Sequence, residues 1–538
     1  MEIYSKITQH HHLAIAGQAS VDRDPYGSQC GALDMSMHNG PDRTLWYNQD
    51  PGTLFSETSE PLTPEHVDVM VDEVADAEVD VFLVNVNMWR TNYPSEVWET
   101  WWDGFDEWAA ANPPLETDAM ARTLHWHHPR HPKRHRMIEQ MQRLAEQGCD
   151  YLERSVQRCR DRGVSPAVSI RTNDTHDSEP DSQYFSDFYR NHPELWLSSS
   201  RVTGTGGLDY DQAGTRDHYL ALVEEVVTGY DLDILELDYL RHAPFFDGYN
   251  VTDRAPVMTD YVVTVARLCR DNGVQLIPRV PATPALAHER GLDVERWVDQ
   301  QLIDGLTVGT AIQIGWQLPV DSWRRVVGEL PLNISIDKFA DSPSGFPTRE
   351  LQSDDRLLAG VASAYAPTDI NGLYFFNFFG PRERPIGPHE PHFDQLPAVK
   401  SDDVLAARDA VYLVTTGRGR THAPQQLPLE LAAGDERPIT ITTMDETTKA
   451  TCRLRVLTKD VIDENELWLQ LDDTPVGSLE AVEPYERANH RRAGTTTGIQ
   501  GWFTIPVDHV TAGEHSFIVR NRSSEAVSLH GIELHIIA

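Results

Sequence analysis

The chain has 538 residues, 83 of them acidic and 46 basic, which gives a formal net charge of −37 at pH 7. Six of the basic residues are lysines and forty are arginines. An acidic field of this size argues against binding to nucleic acid or to anionic lipid, and it predicts a halophilic protein, since salt screens the repulsion between carboxylates.

The composition also limits the class of protein. A high genomic GC content would equally favour arginine over lysine, so adaptation to salt is one of two interpretations. Five cysteines lie apart without a C-x-x-C pair, which predicts free thiols and no disulfide framework or zinc site. The first ten residues lack a basic stretch followed by an apolar run, and no segment reaches the length of a membrane span. We expect a cytoplasmic protein without cofactor or membrane partner, and a homo-oligomer is compatible with these data.

Short β-rich runs alternate with helical periods along the first three quarters of the chain, which is typical of a parallel α/β fold. Eight strands are predicted, at Thr44–Asn48, Val79–Asn87, Ser165–Arg171, Asp233–Asp238, Gln275–Val280, Leu306–Thr310, Leu332–Asp337 and Gly372–Phe376. Helices are predicted after Thr63 and over His135–Arg162, Thr215–Gly229, Asp253–Gly273 and Arg349–Ala366. Eight such units predict a (β/α)8 TIM barrel, since a doubly wound sheet would need a switch point and a phosphate loop that the sequence lacks.

Three regions follow from where this pattern starts and stops. Residues 1–43 do not fit the period and are predicted to form an N-terminal extension packed on the barrel, and residues 44–400 form the catalytic barrel. Short alternating runs separated by turn residues fill 411–538, which predicts a C-terminal all-β sandwich that packs on the barrel or binds glycan. Within the barrel, the long segment 89–132 contains six tryptophans, and long loops of this kind are usually functional.

The fourth predicted strand carries an unusual pair of charges. A buried parallel strand reads as a continuous apolar run, but Glu236 and Asp238 interrupt this one two residues apart, so that both point to the same side. Burial of two carboxylates is unfavourable unless they are paired or used. Arg241 and His242 follow at the end where barrel enzymes place their active sites. The pattern predicts catalytic chemistry, and the alternative is a structural ion pair inside the barrel.

The third predicted strand ends in a second polar cluster, Arg171-Thr-Asn-Asp-Thr-His176. A neighbouring carboxylate such as Asp174 can orient the His176 imidazole, so His176 is a candidate general base. Arg171 and Asn173 are candidate substrate contacts beside it. The alternative is a hydrogen-bonded turn that uses Asn and Asp for their turn-forming properties.

Arginines give a third signal at the same barrel face. Arg279, on the fifth predicted strand, is expected near Arg171 and Arg241, which locally reverses the sign of the charge. Arginine binds carboxylate or sulfate through two parallel hydrogen bonds, so these residues predict an anionic substrate group. The alternative is that each arginine pairs with a barrel carboxylate. Polar residues that end other predicted strands complete the candidate site, namely Asn48, Asp50, Asp337 and Asn377.

The histidine-rich segment 124–135 raises the question of a metal ion. It lacks the i, i+4 helical pair and the nearby Cys or Glu ligands of established metal motifs. We therefore predict a solvated or substrate-facing segment and no metal site.

Two resemblances to known families rest on these motifs. The segment 208–238, a helix leading into a strand that ends in E-L-D, resembles the glycoside-hydrolase-like barrels related to family 10. More narrowly, the spacing of Arg171 and His176 resembles that of the inverting sialidases of glycoside hydrolase family 156. That resemblance implies a (β/α)8 barrel in which Arg171 binds the sugar carboxylate, His176 acts as a base and Arg241 adds a second contact. The family also uses an Asp on the first barrel strand, for which Asp50 is the nearest candidate.

These observations predict a glycoside hydrolase that cleaves a terminal glycosidic bond of an acidic sugar, sialic-acid-like or uronate, with inversion. His176, oriented by Asp174, would activate water, and Asp50 or Asp238 would protonate the leaving oxygen. A two-carboxylate retaining mechanism would instead pair Asp238 with Glu236, Asp174 or Asp337. Glu236 and Asp238 are neighbours on one strand, so this pair is not expected to flank a scissile bond by itself. The tryptophan-rich segment would stack on sugar faces.

Two other functions stay open at this point. The fifth strand carries no Glu, which keeps a non-catalytic glycan-binding barrel as one alternative. The other is a uronate polysaccharide lyase, in which His176 and Tyr239 would abstract a proton.

Overall fold

A computed structural model describes most of the chain. The described residues are 43–50, 52–57, 61–115, 128, 130–174, 183–203, 206–241, 244–310, 318–337, 339–340, 349–350, 355–377, 393–414, 426–458, 462–488 and 495–538. The predicted N-terminal extension therefore lies outside the described residues, except for Arg43.

Parallel strands close into a barrel. The strands of this region are β1 (Thr44–Gln49), β2 (Val81–Asn85), β3 (Ser165–Arg171), β4 (Ile234–Asp238), β5 (Gln275–Leu276), β6 (Arg279–Pro281), β7 (Leu306–Gly309), β8 (Leu332–Asp337), β9 (Phe339–Ala340), β10 (Arg349–Glu350) and β11 (Gly372–Phe376). The ring has the order β1-β2-β3-β4-β6-β7-β8-β11 and closes because β11 pairs with β1. The short strands β9 and β10 form a separate antiparallel ribbon. The predicted TIM barrel is confirmed.

The fifth position of the barrel is interrupted. One continuous strand was expected there, but β5 and β6 are separate segments that both pair with β4. Pro278 lies between them and has no N–H group to donate to the ladder. The break places Arg279 at the start of its own short strand.

Helices connect the barrel strands on the outside. They are α1 (Gly52–Glu57), α2 (Pro64–Asp76), α3 (Phe105–Ala111), α4 (Pro132–Glu146), α5 (Tyr151–Arg162), α6 (Asp187–Asn191), α7 (Ser198–Thr203), α8 (Ala213–Gly229), α9 (Ala255–Asp271), α10 (Pro284–Glu289), α11 (Val294–Asp299), α12 (Val320–Val327), α13 (Asp355–Tyr365) and α14 (Asp402–Ala406). Short 3-10 helices cover Pro193–Leu195, Thr252–Arg254, Phe393–Lys400 and Val507–His509.

Two of the predicted helices are corrected. The helix expected over His135–Arg162 is in fact α4 followed by α5, because Gly148 adopts a left-handed φ of 70° and Asp150 caps the second helix. The Asp150 carboxylate accepts from the backbone N–H of Leu152 at 2.8 Å. The helix expected from Arg349 begins only at Asp355, and Arg349 belongs to β10.

Helix α2 illustrates how the sequence directs packing against the barrel. Thr63 lies at the N-cap and Pro64 at the first helical position, where its missing N–H is not needed. The buried residues repeat at a helical spacing and form one apolar stripe, made of Val67, Met70, Val71 and Val74. The opposite face carries charged side chains together with Val69, which is 54% exposed.

The C-terminal region is an all-β sandwich, as predicted. Its strands are β12 (Ala410–Val414), β13 (Leu429–Leu431), β14 (Glu436–Thr443), β15 (Thr451–Thr458), β16 (Leu467–Leu471), β17 (Thr474–Ser478), β18 (Ala481–Ala488), β19 (Thr495–Ile505), β20 (Gly513–Asn521) and β21 (Val527–Ile537). One antiparallel sheet has the order β12-β21-β15-β19-β18, with β13 added on β21, and the other has the order β14-β20-β16-β17. Side chains alternate between core and exterior, as on β20, where Phe517 and Val519 are buried.

The sandwich packs closely on the barrel through α13 and β12. A Cβ atom on Gly360 of α13 would lie 2.1 Å from the carbonyl oxygen of Val411, so only glycine permits this approach. On the next residue, the Tyr412 hydroxyl donates to Glu446 at 2.6 Å. The limits 44–400 and 411–538 of the two regions stay predictions. None of the helices in the described ranges is long and apolar enough to cross a membrane.

Candidate active site

Charged residues meet at the carboxyl ends of β3, β4 and β6. In the parallel ladder Arg171 is the neighbour of Asp238, and Asp238 is the neighbour of Arg279. Neighbours in a parallel ladder project to the same side of the sheet, which here is the barrel interior. All three side chains are buried. The barrel mouth therefore contains a row of alternating positive and negative charges.

Arg171 is held between two carboxylates. Its Nη2 atom forms an ion pair with Asp50, and its Nη1 atom lies 3.4 Å from Asp174 Oδ2. The Asn87 side chain fixes the backbone at the same point, because it accepts from the Arg171 N–H at 3.0 Å and donates to the Arg171 carbonyl at 3.1 Å. Arg171 and Asp174 thus lie together as the sequence predicted, although Arg171 is matched by the protein's own carboxylates.

Asp50 is fixed by the end of the last barrel strand. Asn377 donates from Nδ2 to Asp50 Oδ2 at 2.5 Å, and its Oδ1 accepts from the Asp50 backbone N–H at 2.7 Å. Asn377 has a left-handed φ of 52°, a conformation that Asn adopts more readily than most residues. The Asp50 side chain is 17% exposed, against 0% for Asp174 and Asp238. Asp50 is therefore the carboxylate of this set that a ligand reaches most easily.

Asp238 and Arg279 form the second charged group of the mouth. Asp238 Oδ2 lies 3.3 Å from Arg279 Nη1, and its Oδ1 accepts from the backbone N–H groups of Leu240 and Arg241 at 3.0 and 3.2 Å. Arg279 also donates to Ser335 Oγ at 3.0 Å. Burial opposes the charge of Arg279, but Asp238 and other nearby groups raise its pKa above the ordinary value.

Asp337 and two aromatic rings complete the environment of Arg279. The Asp337 carboxylate lies 3.6 Å from Arg279 Nη2. The Arg279 guanidinium also lies 5.1 Å from the ring centre of Tyr374 and 4.9 Å from that of Phe376. The alternative weighed from the sequence, in which an arginine pairs with barrel carboxylates, describes Arg171 and Arg279 well.

Glu236 lies one layer deeper than Asp238 in a hydrogen-bonded cluster. Its Oε1 atom accepts from Ser169 at 2.7 Å, from Tyr374 at 2.9 Å and from Asn48 at 3.4 Å. Its Oε2 atom is buried and has no hydrogen-bond partner within the described part of the chain. Burial, followed by repulsion from Asp238, raises the pKa of Glu236 to about 8. This shift favours the protonated form of Glu236 near neutral pH.

Two members of this cluster could not be predicted directly from the sequence. Ser169 and Tyr374 lie inside predicted strands, where serine and tyrosine are ordinary packing residues. The only indication in the sequence was Glu236, because a buried carboxyl group requires hydrogen-bond partners.

Arg241 lies at the rim of the mouth and is partly exposed. Its guanidinium is 5.2 Å from the ring centre of Phe376. Burial and the positive charge of Arg171 lower the pKa of Arg241. An anion bound beside it would oppose both effects. His242 and His176, the candidate substrate contact and the candidate base, lie outside the described residues, so their predicted roles stay predictions.

Asn173 links three loops at this face. Its Nδ2 atom donates to the carbonyls of Leu208 and Pro244, both at 3.0 Å, and its Oδ1 accepts from the Leu208 N–H at 3.0 Å. A Cβ atom on Gly207 would lie 2.5 Å from the Asn173 amide nitrogen, so glycine is needed for this contact. Both Nδ2 hydrogens are used by the backbone, which gives Asn173 a role in positioning the loops.

Three tryptophans of the tryptophan-rich segment are buried beneath its loop. Trp89, Trp98 and Trp101 are 3%, 6% and 0% exposed. Trp89 packs on Tyr189 with ring centres 4.4 Å apart, and Trp98 stacks on His218 at 4.1 Å. The expectation that these three indoles stack on sugar faces is wrong, because they form the core under the loop. Trp126 lies outside the described residues.

Tyr239 is also remote from the solvent. Its ring is buried between Phe245 and Trp297, with centres 5.3 and 5.7 Å away, and burial raises the pKa of its hydroxyl well above the ordinary value. This environment does not favour the proton abstraction that a lyase would require of Tyr239.

No group of three or more His, Cys, Asp or Glu residues in the described ranges is arranged to hold a metal ion. In the histidine-rich segment, His131 caps α4 by accepting from the Lys133 N–H at 3.2 Å. His135 is buried and stacks on Trp108, with ring centres 5.0 Å apart. Residues 124–127 lie outside the described residues.

Comparisons with known proteins add little beyond the fold. No protein-family model matches the chain, and no curated protein matches it. A family 36 α-galactosidase from Geobacillus stearothermophilus, in complex with 1-deoxygalactonojirimycin, is 12% identical over 86% of this chain and 56% of its own, with a TM-score of 0.38. A cycloisomaltooligosaccharide glucanotransferase from Paenibacillus sp. is 10% identical over 92% of this chain and 58% of its own, with a TM-score of 0.34. The chain thus spans less than two thirds of either protein, and this likeness transfers no activity.

Proposed function

We propose that the barrel is a glycoside hydrolase that cleaves a terminal glycosidic bond of an acidic sugar. The observation that carries the proposal is the concentration of carboxyl and guanidinium groups at the carboxyl ends of the barrel strands, which is where TIM-barrel enzymes place their catalytic residues. Interior side chains of barrels are otherwise mainly branched and apolar. Even when they are paired, buried charges often stabilise a fold less than apolar residues of the same volume, which supports a functional reason for their presence.

Glu236 and Asp238 lie two residues apart on β4 but in different environments. Burial raises the pKa of Glu236 to about 8, which favours its protonated form near neutral pH. Asp238 contacts Arg279 and the backbone N–H groups of Leu240 and Arg241. A carboxyl group whose pKa is raised by burial is a common property of glycosidase sites. The raised pKa of Glu236 supports acid–base chemistry more than passive binding.

Arg241 supports the finer proposal of an anionic sugar. Arg171 and Arg279 form ion pairs with Asp50, Asp174, Asp238 and Asp337 and thereby position the groups of the mouth. Arg241 lies at the rim, is partly exposed and has its guanidinium 5.2 Å from the ring centre of Phe376. We propose that Arg241 meets the carboxylate of the sugar and that Asp50 or Asp238 protonates the leaving oxygen. His176 would accept the proton of the attacking water.

The first test is a hydrolysis screen, in high and low salt, with aryl glycosides of sialic acid, uronates and neutral sugars. Release from an acidic sugar is the expected result. Turnover of neutral sugars alone would contradict the role of Arg241, and binding without turnover would favour the non-catalytic barrel.

The effect of the leaving group on each variant then shows whether Asp50 or Asp238 is the general acid. An aryl leaving group departs without a proton, so D50N or D238N at the general acid is expected to spare the aryl glycoside. The same variant should lower kcat on an oligosaccharide by about 100-fold or more. H176A should lower kcat on both substrates. D217N, at an exposed aspartate on α8, is the matched control and should change neither.

A further inference from the structure

The loop that follows β4, residues 244–251, is held rigidly at both ends. The Pro244 carbonyl accepts from Asn173 at 3.0 Å, and the Phe245 carbonyl accepts from the Tyr210 N–H at 2.9 Å. At the far end the Val251 N–H donates to the Glu289 carbonyl at 2.9 Å. The rings of Phe245 and Phe246 are buried beneath the loop.

A further contact fixes the middle of this loop. The Asp247 carboxylate accepts from the N–H of Ser198 at 2.7 Å and from its hydroxyl at 2.5 Å. Gly248 follows with a left-handed φ of 113°, which turns the chain sharply. The backbone conformation of the loop is therefore determined before any ligand arrives.

Tyr249 projects from this fixed loop into solvent. Its exposed fraction is 103%, and no other Phe, Tyr or Trp side chain in the described part of the chain belongs to the exposed class. Isolated exposed apolar residues are common on protein surfaces. Tyr249 differs from such residues because a rigid support carries it, and because its loop leaves the same strand that contributes Glu236, Asp238 and, at the rim, Arg241.

We propose that Tyr249 forms an outer subsite that stacks on the sugar ring joined to the acidic terminal sugar, on the leaving-group side. The inference rests on the proposed function and adds the substrate class, an acidic sugar linked to a neutral one. A terminal sugar that enters the barrel mouth leaves the rest of the glycan outside it, where loops of this face lie. The phenol ring offers a flat apolar face to the C–H groups of a pyranose.

The hydrogen bonds that hold the loop 244–251 allow a single tyrosine to contribute to the affinity for the oligosaccharide. A loop that must order on binding loses conformational entropy, whereas a loop already pinned by Asn173, Tyr210, Ser198 and Glu289 loses little. The stacking contact then contributes its full value to the affinity for the oligosaccharide. It contributes nothing to a substrate whose leaving group does not reach Tyr249.

The test compares two substrates that share the acidic sugar, p-nitrophenyl sialoside and sialyllactose. Y249A is expected to raise KM for sialyllactose about 3- to 10-fold, the size of one stacking contact, with kcat unchanged. Its KM and kcat for the aryl glycoside should equal those of the wild type. Y249F keeps the ring and should behave as the wild type on both substrates. V263A, which trims an exposed valine of α9, is the control for loss of an exposed apolar side chain.

Two outcomes overturn the outer subsite while hydrolysis itself stands. One is an unchanged KM of Y249A for sialyllactose, and the other is an equal loss on both substrates. If the wild type hydrolyses neither substrate, the proposed function fails, and calorimetric binding of sialyllactose still decides the subsite. Binding that Y249A weakens supports it, whereas binding that is absent, or the same in both proteins, overturns it.

Discussion

Arginine–aspartate pairs hold together two regions of this molecule that differ in their exposure to water. At the barrel mouth, Arg279 and Asp238 have side chains that are 2% and 0% exposed. On the outside, Asp68, Asp72 and Asp76 of α2 face α5 at a four-residue spacing and form an outer ion-pair row with Arg154, Arg158 and Arg162. The side chains of Arg154 and Asp68 are 33% and 28% exposed.

The same arginine–aspartate pair contributes differently to stability in these two regions. In the outer row, water solvates each charge whether or not its partner is present, so a pair contributes little to stability. At the mouth, each charge has lost its hydration and depends on its partner. The outer row is compatible with surface adaptation alone, whereas the mouth is an arrangement that stability by itself does not favour.

The largest loss of stability is expected when the buried ion pairs of Arg279 at the barrel mouth are removed. Arg279→Met leaves the Asp238 and Asp337 carboxylates buried with one fewer positive charge beside them. We expect the free energy of unfolding to fall by about 3 to 5 kcal/mol. Urea unfolding followed by circular dichroism measures this change. Arg279→Lys keeps a positive charge and should lose less. A loss below about 1 kcal/mol for R279M would remove the distinction between the two regions.

The next largest change in the free energy of unfolding is expected from Glu236, and it depends on pH. Its pKa is raised from 4.5 to about 8 in the folded protein, so the folded state holds the proton more tightly than the unfolded chain. The resulting stabilisation is fully present below the ordinary pKa and is lost as pH rises through the folded pKa. Glu236→Gln has no proton to lose. Relative to this variant, the wild type should lose about 2 kcal/mol of unfolding free energy between pH 6 and pH 8.

The comparison of the two proteins isolates this one group from the other titrating carboxylates. Glu224→Gln, at an exposed glutamate of α8, is the matched control and should follow the wild type at every pH. Parallel stability curves for E236Q and the wild type would show that Glu236 is charged in the folded state.

The barrel could be predicted from the sequence because its strands are short apolar runs with clear limits. The bounds of β3, β8 and β11 agree with those predicted. The interruption at Pro278 and the break between α4 and α5 were missed, although Gly148 and Asp150 are an ordinary stop and start signal. A long amphipathic period concealed that signal.

The sequence predicted which charged residues converge at the barrel mouth, but it did not predict which of them form pairs. Parallel strands end at one edge, so Asp50, Arg171, Asp238, Arg279 and their neighbours were expected to converge there, and the structure places them there. Partners such as Asp50 and Arg171 are 121 positions apart in the chain, and no local pattern reveals such a contact. The same limit explains the tryptophans, because the rings that bury Trp89 come from residues near position 189.

The smallest effect belongs to the outer ion-pair row. Arg154 donates to Asp68 through two nitrogens, at 2.9 and 2.6 Å, with both side chains partly exposed. A double-mutant cycle of R154A and D68N should give a coupling energy below about 1 kcal/mol that decreases further in molar salt. The whole protein, with its net charge of −37, is expected to change in the opposite direction and gain stability in salt. A coupling energy above about 2 kcal/mol that salt does not reduce would place this outer pair in the same class as the buried mouth.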